Sequence, residues 1–122
     1  MTKELLIAVI DDDESFRAAL VDSLGSFDYG VRAFASAEEF VAANGFDSYD
    51  CIITDIHMPG MTGIDLKWLL AARECPVPVI MVTGRVEPGL ESKAASSGAV
   101  RLLVKPFETD ALIGCLQDAI RN

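Results

Sequence analysis

Cys51-Ile52-Ile53-Thr54-Asp55-Ile56-His57-Met58-Pro59-Gly60-Met61-Thr62-Gly63 is an apolar run that ends on a carboxylate and passes into a loop of turn-forming residues. The run is continuously apolar, the pattern of a parallel strand covered on both faces. Three other segments carry reactive chemistry at the same kind of position. Asp11 and Asp12 follow Leu5-Leu6-Ile7-Ala8-Val9-Ile10, Thr83 closes Val79-Ile80-Met81-Val82, and Lys105 closes Val100-Arg101-Leu102-Leu103-Val104. In an open parallel sheet the carboxyl ends of the strands form the ligand crevice, so residues far apart in sequence are expected to converge there.

Working outward, short apolar runs alternate with amphipathic stretches. Strands are predicted over 5–10, 29–34, 50–54, 77–83 and 99–104, and helices over 14–26, 37–43, 64–73, 88–97 and 108–120. The first helix carries Phe16, Leu20, Leu24 and Phe27 at spacings that line one buried face. Ser36 with Glu39 resembles a capping box, Pro88 and Glu108 suit first turns, and Gly98 reads as a helix stop. Trp68 lies off the core face defined by Leu66 and Leu70, so it is expected to be partly exposed, either as an ordinary surface residue or, with Leu69, as part of a docking surface. Strict alternation with right-handed crossovers gives one doubly wound, three-layer α/β domain over 1–122.

The chain has 122 residues and a formal net charge of −9, a poor match to nucleic acid, whose binding is driven by Lys and Arg. Cys51, Cys75 and Cys115 sit in apolar or helical segments and read as reduced core filler, which suits a cytoplasmic protein. Neither a signal peptide nor a run long enough to span a bilayer is expected.

Asp11, Asp12 and Asp13 would repel one another unless a cation sat among them, and a hard oxygen site for magnesium is the natural solution. The plainer reading, Asp as turn former and helix cap, serves Asp13 well but leaves Asp55, Thr83 and Lys105 unexplained. Together these groups suit phosphoryl transfer onto a carboxylate: the metal neutralises charge, and the ammonium and the hydroxyl each hold a phosphoryl oxygen.

On the pair Asp11-Asp12, the loop from Asp55 to Gly63, Thr83-Gly84 and Lys105-Pro106-Phe107, the chain resembles the receiver domains of two-component response regulators over essentially its whole length. Its local sequence is most similar to receivers that precede helix-turn-helix output domains of the nitrogen-fixation regulator type. The resemblance implies a flavodoxin-like (βα)5 fold with sheet order 2-1-3-4-5. It implies that Asp55 accepts a phosphoryl group from the phosphohistidine of a sensor histidine kinase or phosphotransfer protein. Asp12 and Asp55 would ligate Mg2+ directly, with the His57 backbone carbonyl as a further ligand and Asp11 acting partly through water. Thr83 would move toward the phosphoryl group, Gly84 would leave room for that approach, Lys105 would pair with the phosphoryl group, and the bond to Pro106 would be cis. His57 and Arg85 would tune hydrolysis, where the plainer reading makes them exposed loop residues. An output domain or protein would respond through the face around the fourth helix and fifth strand, and phosphorylation-dependent dimerisation is common in the family.

One position departs from the pattern. Three residues before the lysine such domains usually carry Tyr or Phe, whose inward swing accompanies activation, and here that residue is Leu102. Activation is therefore expected to remodel the segment 83–98 without an aromatic rotamer change. Competing functions are an adaptor that works without phosphorylation, a haloacid-dehalogenase-like phosphatase using Asp11 as nucleophile, and a flavodoxin-like electron carrier. The phosphatase reading lacks a second acidic motif and a cap insertion, and an acidic first loop is a poor cradle for a flavin phosphate. The chain stops soon after its last predicted helix, as suits either a stand-alone receiver or a piece of a longer regulator.

Overall fold

In the computed structural model, which describes residues 4–121, the apolar runs become one all-parallel sheet; residues 1–3 and 122 of the expected domain lie outside the described residues. The strands are β1 (Leu6–Ile10), β2 (Gly30–Phe34), β3 (Cys51–Asp55), β4 (Val79–Thr83) and β5 (Arg101–Val104). They alternate with α1 (Glu14–Ser26), α2 (Ala37–Ala43), α3 (Gly63–Ala72), α4 (Leu90–Ser96) and α5 (Thr109–Arg121), and the sheet order is β2-β1-β3-β4-β5.

Successive strand residues face opposite sides of the sheet, and that alternation divides the core in two. Ile7, Val9, Cys51, Ile53, Ile80 and Val82 pack with Leu20 and Leu24 of α1 and Leu112, Ile113 and Leu116 of α5. Ala8, Ile10, Ile52, Val79 and Met81 pack with Phe40 of α2, Leu66 and Leu70 of α3, and Leu90 and Ala94 of α4. Every residue of β3 and β4 is buried, as a strand covered on both faces requires, whereas the edge strand β5 is half-buried or exposed along its length. The order reverses between β1 and β3, so the chain leaves their carboxyl ends in opposite directions and opens a crevice there.

Several local expectations need correction. Phe27 does not join the buried face of α1: the helix ends at Ser26, Phe27 is its C-cap, and the residue is 46% exposed. Pro88 is not in the first turn of α4, because Gly89 adopts a left-handed φ of +82° and the helix starts only at Leu90. Glu108 lies one residue before α5, where its carbonyl accepts from the N–H groups of Ala111 and Leu112. A short 3-10 turn over Phe46–Ser48, absent from the strict alternation, precedes β3. Its Phe46 ring stacks on Phe40 at 5.4 Å, so the turn packs against the core cluster of α2 and α3.

Gly98 does stop α4. Its φ is +97°, its N–H donates to Ala95, and the next N–H, of Ala99, donates to Ala94, the paired bonds of a Schellman motif. Ser36 accepts from the Glu39 N–H at 3.0 Å, which makes the serine half of the expected box. Trp68 is 53% exposed.

Gly63 is the tightest joint in the fold. It begins α3 at the point where that helix passes under the end of β3, and a Cβ there would collide with the carbonyl of Asp55 and the backbone of Ile56. Backbone cannot rotate aside as a flexible side chain can. Gly63→Ala is therefore expected to destabilise the fold by about 1–3 kcal/mol, with the midpoint of urea unfolding as the measurement. An unchanged midpoint would show that the α3 junction yields.

Candidate functional site

Four strand ends deliver the expected groups to one crevice. Asp11 follows β1, Asp55 ends β3, Thr83 ends β4 and Lys105 follows β5. The neighbouring registers Ile10 with Thr54, Asp55 with Val82 and Thr83 with Val104 hold these ends level. Asp11 and Asp55 are only 1% and 6% exposed, Thr83 is fully buried, and Asp12 is exposed. Together Asp12, Asp13, Asp55, His57, Gly84, Arg85 and Lys105 line an open pocket of about 390 Å³.

Lys105 is the electrostatic hub. Its Nζ donates to Asp11 Oδ2 at 2.9 Å and lies 3.7 Å from Asp55 Oδ2. The peptide that follows it, to Pro106, is cis. Asp11 is held from its other side as well: Oδ1 accepts from the Asp13 N–H at 2.9 Å, and its backbone carbonyl accepts from Arg17 Nη1 at 2.7 Å. Asp13 is a helix cap, accepting from the Phe16 N–H through Oδ1 at 3.1 Å. Asp55 is the least settled carboxylate. Burial first, and the Asp11 carboxylate second, push its carboxyl up from 3.8 to about 6 against the pull of Lys105.

The three carboxylates Asp11, Asp12 and Asp55 offer oxygen atoms that all lie within 4.8 Å of one another. A small hard divalent cation prefers such donors, and the negative charge exceeds what one ammonium neutralises, so the set fits magnesium.

The β3–α3 loop is pinned at three points. The Thr62 hydroxyl accepts from the Asp65 N–H while the Asp65 carboxylate accepts from the Thr62 N–H, a complete capping box. The Gly63 N–H donates to the Ile56 carbonyl at 3.0 Å. From α2, Glu38 Oε2 accepts from the Met61 N–H at 2.8 Å, a bond that holds the Glu38 carboxyl below its ordinary range. The Thr62 box was readable from its Thr-x-x-Asp spacing. The Glu38 clamp joins residues 23 positions apart and left no local signal.

On the opposite rim, the Thr83 hydroxyl donates to the Arg85 carbonyl at 2.9 Å and accepts from the Arg85 N–H at 3.1 Å. A hydroxyl has one proton, so Thr83 spends its donor on its own loop. Gly84 beside it is open, since a Cβ there would meet only the Lys105 side chain at 3.9 Å. Glu87 Oε1 lies 3.5 Å from Arg85 Nη1 and 3.9 Å from His57 Nε2, the second distance beyond hydrogen-bond reach. Leu102, half-buried on β5, lines with Thr83, Leu90 and Val104 a separate cavity of about 240 Å³.

A family model for the response regulator receiver domain matches residues 7–117. The transcriptional regulatory protein FixJ of Bradyrhizobium diazoefficiens is 39% identical over 122 residues, which is all of this chain and 60% of that protein. The crystal structure of FixJ-N superposes with a TM-score of 0.88 at 28% identity, covering 99% of this chain and 97% of the other. The Vibrio cholerae chemotaxis protein CheY4 gives a TM-score of 0.87 at 28% identity over 96% and 99% of the two chains. The chain spans 60%, 54% and 48% of the lengths of FixJ, the response regulator protein TmoT and nodulation protein W.

Because the Asp55 carboxyl binds its proton more tightly folded than unfolded, its ionisation opposes folding. That penalty is absent below pH 3.8 and grows as the pH rises through about 6. In chelator, Asp55→Asn is therefore expected to gain thermal stability over wild type as the pH rises across that window and to hold the gain above it. A difference in melting temperature that stays constant with pH would show that burial does not tune this carboxyl.

Proposed function

This chain belongs to the response regulator receiver domain family, and we propose that it is a phosphorylation-controlled switch with Asp55 as the phosphoacceptor. The observation that carries this reading is the placement of Lys105 Nζ, 2.9 Å from Asp11 and 3.7 Å from Asp55, at the mouth of a pocket at the sheet's reversal point. Asp11 is the poorer acceptor, since both of its carboxylate oxygens already accept hydrogen bonds. This argues against the phosphatase alternative.

In the proposed step, an oxygen of Asp55 forms a bond to phosphorus as the P–N bond of a kinase or phosphotransfer-protein phosphohistidine breaks. The electron pair leaves with the imidazole nitrogen, which takes up a proton. Lys105 turns from Asp11 toward the new phosphoryl oxygens, and Thr83 releases the Arg85 carbonyl to donate to another. The open position at Gly84 leaves that hydroxyl its path. Magnesium, held by Asp12, Asp55 and the His57 carbonyl with Asp11 acting partly through water, would neutralise charge on the donor and acceptor oxygens. The chain so contributes to its own phosphorylation and dephosphorylation without acting on a separate substrate.

Release of the Arg85 carbonyl is the first move of the switch. It frees the segment after Thr83, and Leu102 with Leu90 repacks into the cavity beside it, where other receivers move an aromatic ring. The face around α4 and β5 then changes its affinity for an output domain or protein, as a population shift between two packings. FixJ is named a transcriptional regulator, which supports transcription as the output; phosphorylation-dependent dimerisation belongs to the same proposal. The chain itself would make no direct contact with nucleic acid, in keeping with its charge of −9. No helix among the described residues is long and apolar enough to cross a membrane, and a cytoplasmic setting fits the three free thiols.

Intact-mass spectrometry after incubation with acetyl phosphate tests the core of this proposal. Wild type with magnesium is expected to gain one phosphoryl group, while Asp55→Asn, or wild type in chelator, gains none; an adduct that survives Asp55→Asn would move the acceptor to another residue. Once the adduct is in hand, His57→Ala and Arg85→Ala are each expected to change its hydrolysis rate, because both side chains line the pocket. Rates identical to wild type would leave them as plain loop residues.

A further inference from the structure

We propose that Phe16 is a positioning residue for Lys105, its ring face holding the ammonium where it bridges Asp11 and Asp55. The proposal rests on the phosphoacceptor reading of Asp55 and deepens it. Lys105 Nζ stands 4.0 Å from the centroid of the Phe16 ring, and its side chain is only 19% exposed. A lysine has four rotatable bonds, and two carboxylates on one side fix the direction of pull but not the path of the stem. The negative face of an aromatic ring supplies a third attraction, from the α1 side.

The ring is itself braced. The Phe16 N–H is tied to Asp13 Oδ1, so the ring hangs from the first turn of α1, five residues after Asp11. The ring also meets Phe107 edge to face, with centroids 5.9 Å apart and planes at 84°. Phe107 follows Lys105 by two residues. The start of α1 and the lysine loop thus meet twice, once through the Lys105 ammonium over the Phe16 ring and once through the edge-to-face pair of Phe16 and Phe107, and Phe16 is the residue common to both contacts. A purely space-filling Phe16, packed against the α1–α5 core, would need only apolar bulk. The two roles separate when the bulk is kept and the π face removed.

The test compares Phe16→Leu with Phe16→Tyr, with Phe16→Met as a second aliphatic variant should leucine pack badly. Phosphorylation by acetyl phosphate with magnesium is followed by intact mass. A double-mutant cycle of Phe16→Leu with Lys105→Met is read in chelator from the urea unfolding equilibrium. The aliphatic variants are expected to slow adduct formation about three- to tenfold, tyrosine to keep the wild-type rate, and the cycle to show a coupling factor of about 2- to 30-fold. Equal rates in leucine and tyrosine variants, or a cycle with no coupling, would overturn the positioning role. A wild type that forms no adduct would instead overturn the phosphoacceptor reading, and the cycle alone would then decide whether Phe16 holds Lys105.

Discussion

Three carboxylates gathered at the end of a buried sheet repel one another, and the structure depends on how that repulsion is met. At about 4 Å two like charges near a protein surface cost about 4 kcal/mol at an effective dielectric of 20. Asp11 and Asp55 are both nearly inaccessible to water, so screening gives little relief. Lys105 offsets part of the repulsion by donating to Asp11, while burial first and the Asp11 charge second raise the carboxyl of Asp55. In its proposed role as phosphoacceptor, Asp55 is poised because Lys105, 3.7 Å away and bonded to Asp11, compensates its charge only in part. The surrounding devices, from the close approach at Gly63 to the Glu38 clamp and the Thr62 box, keep a strained electrostatic arrangement from relaxing by backbone movement.

In the proposed switch, the opposite rim is the part that moves. Thr83 is fully buried, yet its hydroxyl bonds only to the backbone of its own loop, an interaction worth about 0.5–1.5 kcal/mol net. A charge-assisted bond to a phosphoryl oxygen is roughly twice as strong and can displace it. With Leu102 where an aromatic is usual, the side chain beside Thr83 is small and flexible and adjoins an unfilled cavity. The proposed rearrangement there would trade one aliphatic packing for another.

The alternation of apolar runs fixed the sheet and its helices because both faces of β3 and β4 had to be covered, and that requirement is written in consecutive residues. Asp11, Asp55, Thr83 and Lys105 were legible for the same reason, since each sits directly after a run. Sheet order and the cis bond came only through resemblance. What escaped was either terminal or long-range. Phe27 fitted the helical period but fell just past the last turn of α1, where periodicity no longer applies. Pro88 suited a first turn until the left-handed Gly89 delayed α4. The contacts of Glu38 with Met61 and of Phe16 with Lys105 join segments whose proximity exists only after folding, so neither residue carried a mark of its role.

The sheet that gathers the site also divides the molecule. One apolar cluster contains α1 and α5 and has Phe16, Leu103 and Phe107 packed against it; the other contains α2, α3 and α4 with Leu102. Side chains of the two clusters are separated by a layer of backbone, and substitutions without shared partners generally act independently. Each half-core thus answers to its own packing, with the sheet backbone as the partition between them. Substitutions packed against Phe16 and Phe107 on one face and against α4 on the other are expected to add in their effects on stability.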